Sequence, residues 1–107
     1  MEINSEEASL IMESEKALII DIRDYPSYRE SHIEGSMLNH DGLMQALIKN
    51  KEYDRPVIIY CYHGNSSRDM AEFISALGFK KVYSLKGGYV AWAKWISEKS
   101  KTISQAG

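Results

Sequence analysis

Continuous apolar runs alternate along this chain with stretches whose apolar residues recur every three or four positions. Two such runs, Ala17 to Ile22 and Val57 to Tyr60, are short and rich in β-branched residues, and Lys81-Val82-Tyr83-Ser84-Leu85 reads as a final strand. Short runs without regular polar alternation predict strands buried on both faces. Helical patterns lie between them. Asn4 and Ser5 precede Glu6 and Glu7 and then Ala8, Ile11 and Met12, which predicts a capped helix near 5–14. Asp24 and Pro26 supply a cap and first turn for a short helix near 25–31. Ser36 to Asn39 reads as a brief extended piece, and Asp41 caps a helix near 42–49. That helix sets Leu43, Met44, Leu47 and Ile48 on one face. Asn50 and the stretch 53–56 turn the chain into the second strand. Met70, Phe73, Ile74 and Leu77 then predict a helix closed by Gly78 as its C′ residue. Gly87-Gly88 is a tight turn, and Tyr89, Trp92, Ala93 and Ile96 form a last helical stripe. The tail from about Ser100 is polar and is expected to be mobile.

Strands alternating with helices predict an α/β fold, an open and mainly parallel sheet with right-handed crossovers and helices on its faces. Ligands of such sheets bind beyond the carboxyl ends of the strands. Asp21 and Arg23, Cys61, and Lys86-Gly87-Gly88 all follow strands directly, so this architecture gathers them on one rim. With 107 residues, and no repeat, linker or low-complexity stretch, the chain reads as one domain over 1–107. The net charge of −2, with cations spread along the chain, gives no basis for a nucleic-acid or anionic-membrane partner. No apolar stretch approaches the roughly 20 residues that span a bilayer. The acidic, polar start MEINSEEASL is unlike a secretory signal. A single cysteine permits no internal disulfide, and a reducing cytoplasm is the natural setting. His32 and His40 show no ligand spacing, so neither a metal nor a cofactor is expected.

That single cysteine, Cys61, carries the chemistry. It ends the Val57–Tyr60 strand, and Tyr62-His63-Gly64-Asn65-Ser66-Ser67 leads from it into a helix. A short turn of this kind aims backbone N–H groups inward, and the helix N-terminus adds partial positive charge. Both favour the thiolate, which is the nucleophile. A lone cysteine in an ordinary protein is most simply a buried core residue. The Gly-Asn-Ser-Ser turn directly after the strand argues for the reactive alternative.

Three segments together resemble the single-domain rhodaneses, most closely the GlpE-type thiosulfate sulfurtransferases. Leu18-Ile19-Ile20-Asp21-Ile22-Arg23 with His32-Ile33-Glu34-Gly35-Ser36 is similar to the amino-terminal signature. Cys61-Tyr62-His63-Gly64-Asn65-Ser66-Ser67 is similar to the active-site loop, and Val82 to Trp92 to the carboxy-terminal signature. The signature core spans about 17–98, with the polar tail at 100–107. Ser31 departs from the family, where glycine is usual before the histidine, so the second helix is expected to end differently. Lys86 occupies a variable family position.

The resemblance implies a rhodanese-like fold and a two-step sulfur transfer with Cys61 as the catalytic residue. Thiolate Cys61 takes the outer sulfur of thiosulfate, sulfite leaves, and cyanide, a dithiol or a thioredoxin-like protein removes the sulfur from the persulfide. Backbone N–H groups from about Tyr62 to Ser67 would hold the anions, as in an oxyanion hole. Gly64 supplies a positive φ, and Asn65 tolerates the same region. Ser66 and Ser67 read either as hydroxyl donors to the sulfur or as the N-cap of the next helix. His63 reads as a substrate or partner contact, because a thiolate already at a helix N-terminus needs no general base. Tyr62 reads as a loop anchor, and Asp21 and Arg23 as hydrogen-bonded supports of the rim. Arg68 points to solvent or to the anion, and Lys86 is solvated or lends positive potential to the mouth. Trp92 and Trp95 read as packing residues. A phosphatase or arsenate reductase is the main rival. Its Cys-x5-Arg loop would need an arginine at 67, where this chain has Ser67. A persulfide relay fed by a partner protein would use the same loop.

Overall fold

The computed structural model describes residues 1–106, with side chains to residue 101. Five parallel strands form one sheet, and helices cover both faces. In chain order the strands are β1 (Glu2–Ile3), β2 (Leu18–Asp21), β3 (Met37–Leu38), β4 (Val57–Tyr60) and β5 (Val82–Leu85). Their spatial order is β1-β5-β4-β2-β3. The central strands β2 and β4 pair in register from Leu18↔Val57 to Asp21↔Tyr60, and both are buried along their whole length. This is the outcome that their unbroken apolar runs dictate. Each of the fully buried Ile20, Ile58 and Ile59 contributes roughly 1.5–3 kcal/mol through lost water contact.

The helices are α1 (Ser5–Ser14), α2 (Tyr25–Glu30), α3 (Asp41–Asn50), α4 (Ser66–Ala76) and α5 (Gly88–Ala106). Ile20, Val57, Ile59 and Val82 face one core with Leu43 and Leu47 of α3 and Ala71 and Ile74 of α4. Ile19, Ile58, Tyr60 and Leu85 face the other, beneath Ala8 of α1, with Trp92 of α5 packed against it. Among the described residues no helix is long and apolar enough to cross a membrane.

The expected caps are largely in place. Asn4 and Glu7 form a reciprocal capping box, Asp24 accepts from the Ser27 N–H at 2.9 Å, and Gly78 takes φ +111°. Several details differ. β1 was not foreseen, because a two-residue edge strand carries no periodicity. His40, not Asp41, is the N-cap of α3, and its side chain makes no capping bond. Ile48 and Phe73 turn outward, so Leu43 with Leu47, and Ala71 with Ile74, are the buried pairs. α2 ends at Ser31 in an extended conformation, φ −164°, where no glycine is required. The polar tail from Ser100 is helical as far as Ala106, where α5 ends, and Gly107 lies outside the described residues.

Candidate active site

β4 ends at Tyr60, and Cys61 to Asn65 carry the chain into α4. The parallel topology aims the N-terminus of α4 back at the carboxyl edge of the sheet, where its first N–H groups have no helical partner. Cys61 lies in that concavity, 8% exposed. The Gly64 N–H donates to Cys61 Sγ at 3.1 Å, and Ser67 Oγ lies 3.5 Å from the sulfur. Burial alone pushes the thiol up. Hydrogen bonding by the Ser67 side chain and by the N–H groups of Ser67, Gly64 and His63 outweighs it and brings the group below its ordinary value of 9.0. The site therefore favours the anion.

The turn is held from behind by a second glycine turn. Gly64 takes φ +94°, and a Cβ there would meet Gly87 N at 3.0 Å and Leu85 O at 3.2 Å. Gly88 takes φ +61°, and a Cβ there would collide with the carbonyl groups of Cys61 and Tyr62. This close approach lets the start of α5 reach the loop. The Tyr89 N–H donates to Cys61 O at 2.8 Å, and the Val90 N–H to Tyr62 O at 3.2 Å. With the carbonyls engaged behind, the loop N–H groups face the sulfur.

A buried ion pair anchors the opposite wall. Asp21, fully buried at the end of β2, takes Arg23 Nη2 at 2.7 Å and the Arg23 N–H at 2.8 Å. Nη2 also donates to Ser31 O at 2.7 Å. The guanidinium lies 4.2 Å from the Tyr89 ring centre, 5.4 Å from Tyr62 and 5.5 Å from Tyr60. Burial opposes its charge, but the hydrogen bond and charge of Asp21 prevail and raise its pKa. Tyr62 is tied across the cleft by its hydroxyl, 3.4 Å from Asp24 Oδ2.

A cleft of about 390 Å³ opens over the sulfur. Ile22, Arg23 and Asp24 line one side, and Tyr62, His63, Asn65 and Ser66 the other. Of the residues expected at the mouth, His63 lines this cleft and Arg68 and Lys86 do not. The Arg68 guanidinium instead donates to Asn65 Oδ1 at 3.1 Å, and Lys86 is exposed. Asn65, expected to tolerate a left-handed conformation, is right-handed at φ −83° and is itself the N-cap of α4. Neither serine is the cap. Ser66 is exposed at the cleft, and Ser67 is fully buried against the sulfur. A larger groove of about 890 Å³ runs along α5 past Trp92 and Ile96, but Cys61 does not line it.

The family model for the rhodanese-like domain matches residues 4–94. The chain belongs to the rhodanese-like domain family. It is 42% identical over 89 residues to the thiosulfate sulfurtransferase GlpE of Pseudoalteromonas translucida (strain TAC 125), covering 83% of this chain and 85% of that protein. Among solved structures, the rhodanese-like domain of an Anabaena sp. protein superposes with a TM-score of 0.74 at 24% identity, over 87% of this chain and 73% of that one. A Rhodopseudomonas palustris protein of unknown function, described as a possible tyrosine phosphatase, gives 0.71 at 25% identity, over 87% and 79%.

Two features of this rhodanese site escaped the sequence reading. One is the clamp on the loop carbonyls by the N–H groups of Tyr89 and Val90, which the close approach of Gly88 permits. Its signal was a double glycine at the very start of a helix, where a turn alone needs only one. The other is Ser84, whose hydroxyl meets Ser67 Oγ at 2.6 Å. Its signal was a lone serine in a short strand otherwise made of Val82, Tyr83 and Leu85.

Proposed function

We propose that this rhodanese is a thiosulfate sulfurtransferase with Cys61 as its nucleophile. The carrying observation is a buried sulfur inside a turn whose N–H groups and Ser67 favour its anion, in a chain 42% identical to a named thiosulfate sulfurtransferase. The thiolate attacks the outer sulfur of thiosulfate and forms an S–S bond. The S–S bond of the donor breaks, and sulfite leaves with its electron pair. A thiophilic acceptor then attacks the outer sulfur of the persulfide and returns Cys61 as thiolate. Cyanide, a dithiol or a thioredoxin-like protein fits that role. This is covalent catalysis with ping-pong kinetics. Thiosulfate, the persulfide and the thiolate all carry negative charge, which the N–H groups of His63, Gly64 and Ser67 offset. Tyr62 and Asn65 shape the loop, and Ser66 and His63 contact the donor. Asp21 and Arg23 hold the wall. The domain is 1–107, and a reducing cytoplasm suits a working thiolate.

The phosphatase reading, raised by the Rhodopseudomonas palustris likeness, lacks its anion clamp. Ser67 stands where an arginine would be needed, and Arg68 turns to Asn65. A relay fed by a partner persulfide would run the second step unchanged. Intact-mass measurement after thiosulfate treatment tests the proposal, beside turnover with thiosulfate and cyanide and with p-nitrophenyl phosphate. One added sulfur on Cys61 with cyanide turnover supports it. Cys61-dependent phosphate release with no added sulfur would overturn it.

A further inference from the structure

Ser84 lies on β5, opposite Ile59 in the sheet, and is 1% exposed. A hydroxyl buried in an apolar strand costs about 1–3 kcal/mol unless it is hydrogen-bonded. Ser84 Oγ lies 2.6 Å from Ser67 Oγ, and Ser67 Oγ lies 3.5 Å from Cys61 Sγ. Ser67 is itself fully buried, so the three atoms form a chain closed to solvent at its inner end. Each hydroxyl has one proton. When the sulfur is a thiol, its S–H points at Ser67, and either serine hydroxyl can be the donor between Ser67 and Ser84. When the sulfur is a thiolate, Ser67 must turn its proton to the sulfur, and its oxygen then needs another donor. Ser84 is the hydroxyl in place to be that donor.

We propose that Ser84 is a positioning residue for the thiolate: its hydroxyl donates to Ser67 Oγ and so commits the single Ser67 proton to Cys61. The proposal rests on the reading of Cys61 as a working thiolate. Without Ser84, Ser67 near the start of α4 is free to bond backwards to a backbone carbonyl instead, a common habit of serine in helices. The charged and titratable groups around the cleft are Tyr62 and His63 on the loop, Arg68 bonded to Asn65, and Arg23, Asp21 and Asp24 across from them. Serine variants leave all of these unchanged, so a change in thiolate titration reports the hydroxyls.

The test is iodoacetamide inactivation followed against pH, without thiosulfate, for the wild type, Ser84→Ala, Ser67→Ala, the double variant and Ser84→Thr. Ser84→Ala should raise the midpoint by about 0.5 to 1 on the pH scale, the weight of one hydrogen bond. Below the midpoint, alkylation should slow about threefold to tenfold. In the Ser67→Ala background, Ser84→Ala should add nothing, since Ser84 acts only through Ser67. Ser84→Thr keeps the hydroxyl and should hold the wild-type midpoint. An unmoved midpoint in Ser84→Ala, an equal shift in both backgrounds, or a Ser84→Ala chain that does not fold would each overturn the proposal. A wild type that forms no persulfide from thiosulfate, yet shows the expected midpoints, would remove the sulfurtransferase reading and leave the hydroxyl chain standing.

Discussion

Replacing Gly64 by alanine separates the electrostatic role of the loop from its contribution to folding. At φ +94° an L-residue is strained, and the new Cβ would press on Gly87 N at 3.0 Å and Leu85 O at 3.2 Å. Strain of this kind costs about 1–3 kcal/mol. The loop relieves it by turning the peptide, which swings the Gly64 N–H away from Cys61 Sγ, now 3.1 Å distant. A hydrogen bond to a charged group contributes about 1.5–3 kcal/mol, and one oxyanion donor about 3 kcal/mol. A loss of about 2–3 kcal/mol from the transition state corresponds to roughly a 30- to 150-fold fall in kcat/KM for thiosulfate. The same strain should lower Tm by about 5 °C per kcal/mol in a domain of this size. Steady-state kinetics and a thermal melt on the same preparation give both numbers. The iodoacetamide midpoint should rise as well, because the lost donor stabilised the anion. A folded Gly64→Ala chain with wild-type kcat/KM and an unmoved midpoint would refute the loop electrostatics.

Four further outcomes follow from the same geometry. Cys61→Ser should keep the fold and abolish sulfur transfer, since a seryl oxygen is not ionised here and holds no sulfane sulfur; mass measurement should show no added sulfur. Because the folded-state pKa of Cys61 is depressed, the wild type should gain stability over Cys61→Ser as pH rises toward the free-thiol range, and lose that margin as pH falls through the depressed value; paired melts across pH measure it. Arg23→Met leaves the fully buried Asp21 charge without its partner and should cost about 3–5 kcal/mol in urea unfolding, while Asp21→Leu with Arg23→Met should recover part of that loss. Neutralising Arg68 or Lys86, exposed residues neither of which lines the cleft, should change KM for thiosulfate by less than about twofold, because exposed charges are screened by water and salt.

The legible part of this protein is the part written in burial and in turn chemistry. The unbroken runs of β2 and β4 announce strands covered on both faces, and the single cysteine at the end of β4 announces the site. A glycine between a strand end and a helix start also suits an ordinary loop, and it is the turn's place directly after Cys61 that points to the positive φ which Gly64 takes. The misplaced details share a physical cause. Phe73 and Ile48 carry apolar side chains at helical spacing, but burial depends on which face the crossover turns to the sheet. β1 exists through pairing with β5, with Glu2 opposite Ser84, and not through its own two residues. Arg68 and Lys86 have the right charge in the right stretch of sequence. Arg68 on the first turn of α4 instead bonds Asn65, and Lys86 lies exposed on the turn after β5.

The choice between sulfur and phosphorus chemistry at this site comes down to how many oxygens must be held. A phosphoryl transition state spreads charge over three equatorial oxygens, and loops that catalyse it hold them with a bidentate arginine. Here the position that such an arginine would occupy is Ser67, buried and turned to the sulfur and to Ser84. That hydroxyl contributes one donor directed at the sulfur and none toward the mouth. The loop N–H groups converge on one atom, Sγ, and on whatever is bonded to it. A persulfide adds a single sulfur there and needs no wider cradle. On the proposed reading, the sulfonate end of thiosulfate would stay in the cleft that His63 lines and leave as sulfite. Concentration of the donors on one atom therefore favours sulfane transfer, and the missing fork disfavours hydrolysis of aryl phosphates.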